Sequence, residues 1–184
     1  MNLSPKEKKF LLDQARQVIE NKSKGVDQTG EDHFSDTLKE QRGVFVTITK
    51  SNQLRGCIGY VEGIKPLYLA VEEMALAAAF DDPRFPPLDE EEVEEIEIEI
   101  SVLSPLETIS DPNQIEVGKH GIIIEQGLMR GLLLPQVATE YNWDLQTFLE
   151  QTCQKAGLPT DAWLDESTTI QIFSAEIFSE KDFF

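Results

Sequence analysis

The sequence has little cysteine, histidine or positive charge, and each shortage narrows the classes of protein to which it can belong. Its two cysteines, Cys57 and Cys153, are far apart, so we expect free thiols rather than a structural disulfide. The chain contains neither a CxxC nor an HExxH motif, and we predict no metal site. A carboxylate-rich site is the alternative that its 34 acidic residues leave open.

Positive charge is scattered as well as scarce. The 16 Lys and Arg residues are outnumbered by 34 Asp and Glu, which gives a formal net charge of -18. Such a chain repels phosphate backbones and anionic membrane surfaces, so we expect no nucleic-acid and no membrane partner. It also lacks the run of roughly 20 apolar residues that crosses a bilayer and the hydrophobic region of a signal peptide. We therefore expect a cytoplasmic protein.

Hydrophobic residues make up 40% of the 184 residues, which is enough for one core, and we predict a single domain over residues 1–184. Residues 1–42 predict a helix followed by a polar connection. The helix starts with a Ser4 N-cap, a proline at its first position and a capping box closed by Glu7. Apolar residues then recur at helical spacing: Phe10, Leu11, Ala15, Val18 and Ile19. We interpret His33, in the connection, as solvent-facing.

From Gly43 the pattern changes to the alternation typical of β-strands, and residues 43–105 predict a first structural repeat. Two strands joined by a turn at residues 50–53 form a hairpin. An alanine-rich helix follows over residues 65–80, suited to close packing on a sheet. A strand with one polar face then begins at Ile96.

Residues 113–184 predict a second repeat with the same order of elements. Its hairpin extends to Val137, its helix covers residues 145–156 with Gly157 as the C-terminal cap, and its strand covers residues 168–178. Corresponding elements of the two repeats lie about 75 residues apart. We therefore predict an α+β fold with a curved, mostly antiparallel sheet built from two β-hairpin/helix/strand repeats.

The stretch Leu54-Arg55-Gly56-Cys57-Ile58-Gly59 carries the chemistry that the repeat does not explain. Alternation along a strand puts Leu54 and Gly56 on one face and Arg55, Cys57 and Gly59 on the other. A neighbouring guanidinium favours the thiolate form of cysteine, and a glycine leaves room for a ligand. Arg55 and Cys57 are therefore candidate catalytic residues, and Gly56 and Gly59 are candidate ligand-binding residues.

The alternative is that this stretch is structural. Free cysteine often acts as a small buried hydrophobe in a strand, and a glycine-rich strand can mark a bulge or a tight packing point. The second hairpin repeats the arginine and glycine as Arg130-Gly131 but has Leu132 in place of the thiol. A single chemical site would therefore belong to the first repeat. We expect Cys153, on the apolar face of a helix, to be a core residue.

Two further clusters contain functional side chains. Gly118-Lys119-His120-Gly121 offers a general base in His120 or an anion-binding loop with Lys119, or is only a turn with an exposed histidine. Asp82-Pro83-Arg84-Phe85 is either an Asp–Arg pair that holds a proline turn or a ligand-binding element that uses Asp82 and Arg84.

These stretches resemble the AMMECR domain family, whose microbial members are called AmmeMemoRadiSam system protein A. The resemblance is carried, from about Gly43 to the C-terminus, by the two clusters just described, by the Leu54–Gly59 stretch and by the segments at residues 100–105 and 133–138. It implies an α+β fold of two unequal subdomains around a cleft. It also implies association with a Memo-type protein and a radical SAM protein through neighbouring or fused genes. It implies no established activity and does not identify a cofactor.

Two hypotheses follow. In the first, the protein is an enzyme or enzyme component that uses the Cys57 thiolate, with Arg55 binding an anionic group and His120 as acid or base. Its substrate is then a small molecule or a partner protein. In the second, the protein is a non-catalytic adaptor whose cleft holds a ligand or a segment of a partner, and Cys57 is structural.

Overall fold

The computed structural model describes residues 3–26 and 35–183, which form two compact units. Unit 1 consists of the described residues up to Leu103 together with those from Glu176 onward, and unit 2 is Ser104–Ala175. The interpretation of His33 concerns a residue outside the described ranges. Among the described residues, no helix combines the length and apolar character needed to cross a membrane.

Unit 1 begins with helix α1, Pro5–Ser23, which has the predicted capping box. The Ser4 hydroxyl accepts a hydrogen bond from the Glu7 amide at 3.3 Å, and the Glu7 carboxylate accepts one from the Ser4 amide at 2.8 Å. The buried face of the helix carries Leu11, Leu12, Ala15 and Ile19, whereas the side chain of Phe10 is 38% exposed. A short helix α2, Asp36–Lys39, follows.

The sheet of unit 1 contains strands β1 (Val44–Lys50), β2 (Gln53–Tyr60) and β3 (Ile96–Leu103) in the order β2-β1-β3. Both pairings are antiparallel. One face is buried against α1 and helix α3, Leu67–Phe80, whose small buried residues allow a close approach to the strands. This buried face is lined by alternate strand residues: Val44, Val46, Ile48, Ile98 and Ile100.

A β-bulge interrupts the hairpin of β1 and β2 at Arg55. The turn residues Ser51 and Asn52 have φ angles of 52° and 60°, the left-handed geometry of a two-residue hairpin turn. Thr49 pairs with Leu54, but the next pair is Ile48 with Gly56, so Arg55 is an extra residue on β2. The prediction that Leu54 shares a face with Gly56 is wrong, because the bulge shifts the register by one residue. Leu54 is 44% exposed, whereas Gly56 is buried.

The strands of unit 2 pair antiparallel in the order β6-β5-β7-β4. They are β4 (Glu107–Ile109), β5 (His120–Gln126), β6 (Met129–Leu133) and β7 (Thr169–Ser179), of which β7 continues into unit 1 at Glu176.

Two helices pack in unit 2, α4 (Pro135–Glu140) and α5 (Leu145–Lys155). The predicted second hairpin extends to Val137, but β6 ends at Leu133 because Pro135 is the first residue of α4, a position that proline favours. Gly157, with φ of 77°, follows the end of α5 as predicted. The α+β class and the two hairpin–helix–strand repeats are thus confirmed.

Candidate functional site

Cys57 lies half-buried on β2, on the face of the unit 1 sheet opposite the helices. The register places it directly across from Thr47, whose hydroxyl donates a hydrogen bond to the Cys57 sulfur with an Oγ1–Sγ distance of 3.3 Å. Cys153, by contrast, is fully buried on α5, and this burial raises the pKa of its thiol. The two free cysteines therefore occupy environments of opposite character.

The backbone of Cys57 is held by an Asp–Arg pair rather than by a neighbouring strand. β2 is the first strand of its sheet, and there Asp82 Oδ2 accepts a hydrogen bond from the Cys57 amide at 2.9 Å. Arg84 Nη2 donates to the Cys57 carbonyl at 3.2 Å. The carboxylate and the guanidinium thus take the places of a carbonyl and an amide of an adjacent strand.

Asp82 and Arg84 are also joined directly. Arg84 Nε lies 3.0 Å from Asp82 Oδ1, and Arg84 Nη2 lies 2.7 Å from Asp82 Oδ2. The Asp82 side chain is only 2% exposed, against 53% for Arg84. These hydrogen bonds from Arg84 hold the pKa of Asp82 well below its usual range despite its burial. The pair therefore holds the turn after α3 against β2, one of the two roles considered for it.

Arg55 is engaged by Glu92. Its Nε and Nη2 atoms lie 3.2 and 2.8 Å from the two carboxylate oxygens of Glu92, and the side chain is 12% exposed. Hydrogen bonding to Arg55 lowers the pKa of Glu92. The third nitrogen, Nη1, is buried and has no hydrogen-bond partner among the described residues. The guanidiniums of Arg55 and Arg84 both lie over the Phe85 ring, 5.9 and 5.5 Å from its centroid, so they flank a common aromatic surface.

The two glycines of the motif are explained by packing. A Cβ atom on Gly56 would lie 2.0 Å from the carbonyl oxygen of Ala78 on α3, and one on Gly59 would lie 2.3 Å from the ring of its cross-strand partner Phe45. The space over Gly59, where a ligand was expected, is thus taken by an aromatic ring, and the space at Gly56 is taken by a helix.

Unit 2 repeats this glycine packing but not the arginine environment. A Cβ on Gly131 would lie 2.6 Å from the Thr152 carbonyl oxygen on α5, and one on Gly121 would lie 2.3 Å from its cross-strand partner Phe173. Arg130 instead lies opposite Glu125 at 3.6 Å and is 38% exposed. The shared glycines are therefore architectural, whereas the buried guanidinium of Arg55 is a feature of unit 1.

Lys119 and His120 lie in unit 2, where they form a turn with Glu116. The Glu116 amide donates to His120 Nδ1 at 3.1 Å, and Lys119 Nζ lies 2.7 Å from Glu116 Oε1. The Lys119 side chain is 59% exposed. The candidate residues are thus divided between the units, with Lys119 and His120 in unit 2 and the others in unit 1: Arg55, Gly56, Cys57, Gly59, Asp82 and Arg84. In the part of the chain that the structure describes, no three His, Cys, Asp or Glu residues are grouped to hold a metal.

Sequence reasoning missed Thr47, Glu92 and Glu99. Thr47 pairs with Cys57 on β2 and with Glu99 on β3, so a thiol, a hydroxyl and a carboxylate form a row across the sheet. An unbroken register from the hairpin turn would have paired Cys57 with Val46. Only recognition of the bulge at Arg55 would have revealed this row.

The fold and the site together define an α+β protein of two hairpin–helix–strand units, with a half-buried cysteine held on an outer strand of the first. The family model AMMECR1 matches residues 12–178, and the chain belongs to the AMMECR1 family.

Archaeal proteins are similar over almost the whole chain. A protein of Methanothermobacter thermautotrophicus is 48% identical over 97% of this chain and 96% of its own length. A Thermococcus kodakarensis protein is 46% identical over 94% of this chain and 89% of its own length. The crystal structure of the uncharacterized protein PH0010 from Pyrococcus horikoshii superposes with a TM-score of 0.85 at 45% identity, covering 94% and 90% of the two chains.

Proposed function

We propose that the protein is a cysteine-centred enzyme or enzyme component in which Cys57 is the reactive thiol. The observation that carries this proposal is the 3.3 Å hydrogen bond from Thr47 Oγ1 to Cys57 Sγ at a half-buried position. A hydroxyl that donates to sulfur stabilises the charge of a thiolate, which is the nucleophilic form. Asp82 and Arg84 fix the backbone at Cys57 and so hold the sulfur in place.

The proposed substrate carries an anionic group and is a small molecule or a segment of a partner protein. Arg84 uses Nε and Nη2 to bind Asp82, yet its side chain is 53% exposed. Arg55 is paired with Glu92 and its Nη1 is buried, so a substrate anion would meet this pair of guanidiniums at Arg84. Because both guanidiniums lie over the Phe85 ring, their positions are restricted, and planar guanidiniums suit carboxylates and phosphates.

Glu99 lies opposite Thr47 on β3, on the same face of the sheet as Cys57. The Thr47 hydroxyl donates to the sulfur and so does not accept the thiol proton in this arrangement. The proposed acceptor of that proton is therefore solvent, which a half-buried thiol can reach. The role of His120 as acid or base, expected from the sequence, stays a prediction.

Alkylation by iodoacetamide tests the reactive thiol, with mass spectrometry to separate the two cysteines. In native protein at neutral pH, Cys57 should react faster than the same cysteine in a peptide of residues 53–60, while buried Cys153 should be protected. Thr47→Val should slow the reaction about fivefold, as expected for the loss of a hydrogen bond of about 1 kcal/mol. A Cys57 rate no greater than that of the peptide would overturn the proposal.

Thr49→Val is the matched control. Thr49 lies on the same strand and the same face as Thr47 but pairs with Leu54, on the other side of the bulge. Its replacement should leave the Cys57 rate unchanged. Equal slowing by both substitutions would show that the effect is general loosening of the hairpin and not the bond to sulfur.

A second candidate function is a non-catalytic adaptor that binds a ligand or a partner. It is favoured by the half-exposed guanidinium of Arg84 and by the structural use of Gly56 and Gly59. In this case Cys57→Ser should preserve partner binding and cellular function. Arg84→Ala should abolish binding while circular dichroism shows an intact fold. Loss of cellular function in Cys57→Ser, with partner binding preserved, would favour the enzyme.

The partners proposed for either function are a Memo-type protein and a radical SAM protein, as the family resemblance implies. We place the interaction in the cytoplasm, where reducing conditions keep both thiols free. Tagged protein expressed with the Memo-type and radical SAM proteins of the same genome should retain at least one of them at physiological salt. Failure of both to co-purify would count against this assignment.

A further inference from the structure

Unit 2 contains a cavity of about 520 Å³ beside the start of β7. This volume falls within the range of roughly 300–1,000 Å³ that small-molecule sites occupy. Two of its lining residues, Ile109 on β4 and Ile170 on β7, face each other in the strand register and are only 8% and 6% exposed. Trp163 and Leu164, from the 3₁₀ turn Ala162–Leu164, also line it. The cavity therefore has an apolar, partly aromatic surface.

The polar lining of this cavity is hydroxylic and anionic. Four lining residues with hydroxyl side chains lie within two positions of the paired isoleucines: Thr108, Ser110, Thr168 and Thr169. Two carboxylates, Asp165 and Glu166, line the cavity, and among residues 3–26 and 35–183 no lysine, arginine or histidine does. A ligand with negative charge would therefore meet two carboxylates and no compensating cation.

The loop that carries the carboxylates is held in place before any ligand arrives. The Ser167 amide and hydroxyl both donate to Asp165 Oδ1, at 2.8 and 2.7 Å, and Gln126 Nε2 donates to the Ser167 hydroxyl at 2.9 Å. Thr168 Oγ1 donates to the Ala162 carbonyl at 2.6 Å. The hydrogen bonds from Ser167 lower the pKa of Asp165, so this group is a carboxylate at neutral pH.

Glu166 adds charge that nothing nearby neutralises. It is exposed, and no hydrogen bond or ion pair of its side chain is found among the described residues. The surrounding field has the same sign, because the chain has a formal net charge of -18. A field of this sign raises the local concentration of cations.

We propose that this cavity binds an organic cation, an alkylammonium or alkylguanidinium group on a short apolar stem. The stem packs against Ile109, Ile170 and Leu164, and the cation lies against the Trp163 indole within reach of the carboxylates. Such a group occurs in free amines and in the lysine and arginine side chains of polypeptides. This inference concerns unit 2 alone and does not rest on the reactivity of Cys57.

Nuclear magnetic resonance of the two indole N–H groups tests the proposal in the full chain. Trp163 lines the cavity, whereas Trp143 stacks on Tyr141 at 5.0 Å and does not line it. Butylammonium and butylguanidinium should shift the Trp163 signal saturably, with a roughly millimolar Kd for ligands of this size. Trp143 should not move. The neutral and anionic analogues, butanol and butyrate, should give no saturable shift.

Substitution of the unpaired carboxylate makes the test specific. Glu166→Gln should weaken butylammonium binding about threefold, as expected for loss of one solvent-exposed ion pair. Glu140→Gln, an exposed change elsewhere in unit 2, should leave it unchanged. Trp163→Leu removes the reporter indole, so its binding is followed through the backbone amide signals of the cavity residues, and it should be weakened more strongly. Equal binding of butanol, no saturable shift, or no difference between Glu166→Gln and Glu140→Gln would overturn the proposal.

A further comparison identifies the source of the cation. Tighter binding of Nα-acetyl-lysine methylamide than of butylammonium would support a lysine side chain of a polypeptide. Equal or weaker binding would support a free amine. Both results are compatible with a cation site, because in both cases binding depends on the ammonium group and is weakened by Glu166→Gln.

Discussion

The Asp82–Arg84 pair supports a prediction whose size can be worked out from its hydrogen bonds. Each Asp82 oxygen accepts two. Oδ1 accepts from Arg84 N and Nε at 3.1 and 3.0 Å, and Oδ2 accepts from Cys57 N and Arg84 Nη2 at 2.9 and 2.7 Å. Asp82→Asn keeps the shape but turns one oxygen into an amino group. In either orientation of the new amide, the two groups that donated to the replaced oxygen then face an amino group, which cannot accept their hydrogen bonds.

We expect Asp82→Asn to destabilise the protein by about 2–3 kcal/mol, or about 1–1.5 kcal/mol for each lost hydrogen bond at this buried site. For a chain of this size that corresponds to a fall in Tm of roughly 5–10 °C. Differential scanning calorimetry at pH 7 measures it. Asp13→Asn is the control, since Asp13 forms an exposed pair with Lys9 and its loss should change stability by less than about 0.5 kcal/mol. Equal effects of the two substitutions would refute the reasoning.

The same pair predicts a pH dependence with a fixed sign. The pKa of Asp82 is lowered in the folded protein, chiefly by Arg84, from its usual 3.8. Its ionised form therefore stabilises the fold above about pH 4, and this contribution is lost as the pH falls below that value. The difference in stability between the native chain and Asp82→Asn should shrink on acidification from pH 5 to pH 2.5 in urea unfolding. A difference that stays constant or grows would contradict this.

Three further changes in unit 1 have expected sizes or signs. Arg16→Ala removes a guanidinium that binds Glu180 and two backbone carbonyls, and should cost about 3 kcal/mol in urea unfolding. Gly56→Ala places a Cβ 2.0 Å from the backbone of Ala78, so the same assay should show a loss of about 3 kcal/mol. Glu7→Gln should lower Tm at pH 7. The difference in Tm between the native chain and this variant should disappear between pH 4.5 and 2, because serine hydroxyls lower the pKa of Glu7 to about 2.

The first two changes have a control in the same chain. Lys9→Ala alters an exposed lysine on α1, as a control for Arg16→Ala. Gly127→Ala meets no atom within 4 Å and carries only the strain of a φ angle of 62°, about 1 kcal/mol. If a control substitution lowers the free energy of unfolding as much as the substitution it is paired with, the contacts described for the latter do not account for its loss of stability. A Tm difference for Glu7→Gln that persists at pH 2 would contradict the assigned pKa.

Hydrophobic periodicity was sufficient to predict the hairpins, the longer helices and the strands that follow them in both units, but not the short elements α2, β4 and α4. The alternation of Val44, Val46 and Ile48 predicted β1, and it is confirmed because that face is buried against helices. The capping box at Ser4 and the glycine after α5 predicted helix ends for local reasons. Such features depend on residues that are close in sequence. They can therefore be predicted without knowledge of the tertiary structure.

Register and tertiary partners could not be predicted in this way. The bulge at Arg55 changes which residue faces Cys57, and the glycines that can mark a bulge do not show at which residue it occurs. The bond from the Cys57 amide to Asp82 joins residues that are 25 positions apart. The early end of β6 is the exception, since Pro135 and its helix-starting preference were visible in the sequence.

In the Leu54–Gly59 motif, the Cys57 thiol is the group whose presence the packing of the fold does not explain. Gly56 and Gly59 are required by a helix and by an aromatic ring, and Arg55 is paired with Glu92. Cys57 differs, because its backbone bonds to Asp82 and Arg84 would be available to any residue at this position. The corresponding strand β6 carries Leu132 two residues after its arginine and still forms its hairpin. Hairpin architecture therefore does not demand a cysteine, and the Thr47 hydroxyl at its sulfur is the contact that a structural role leaves unexplained.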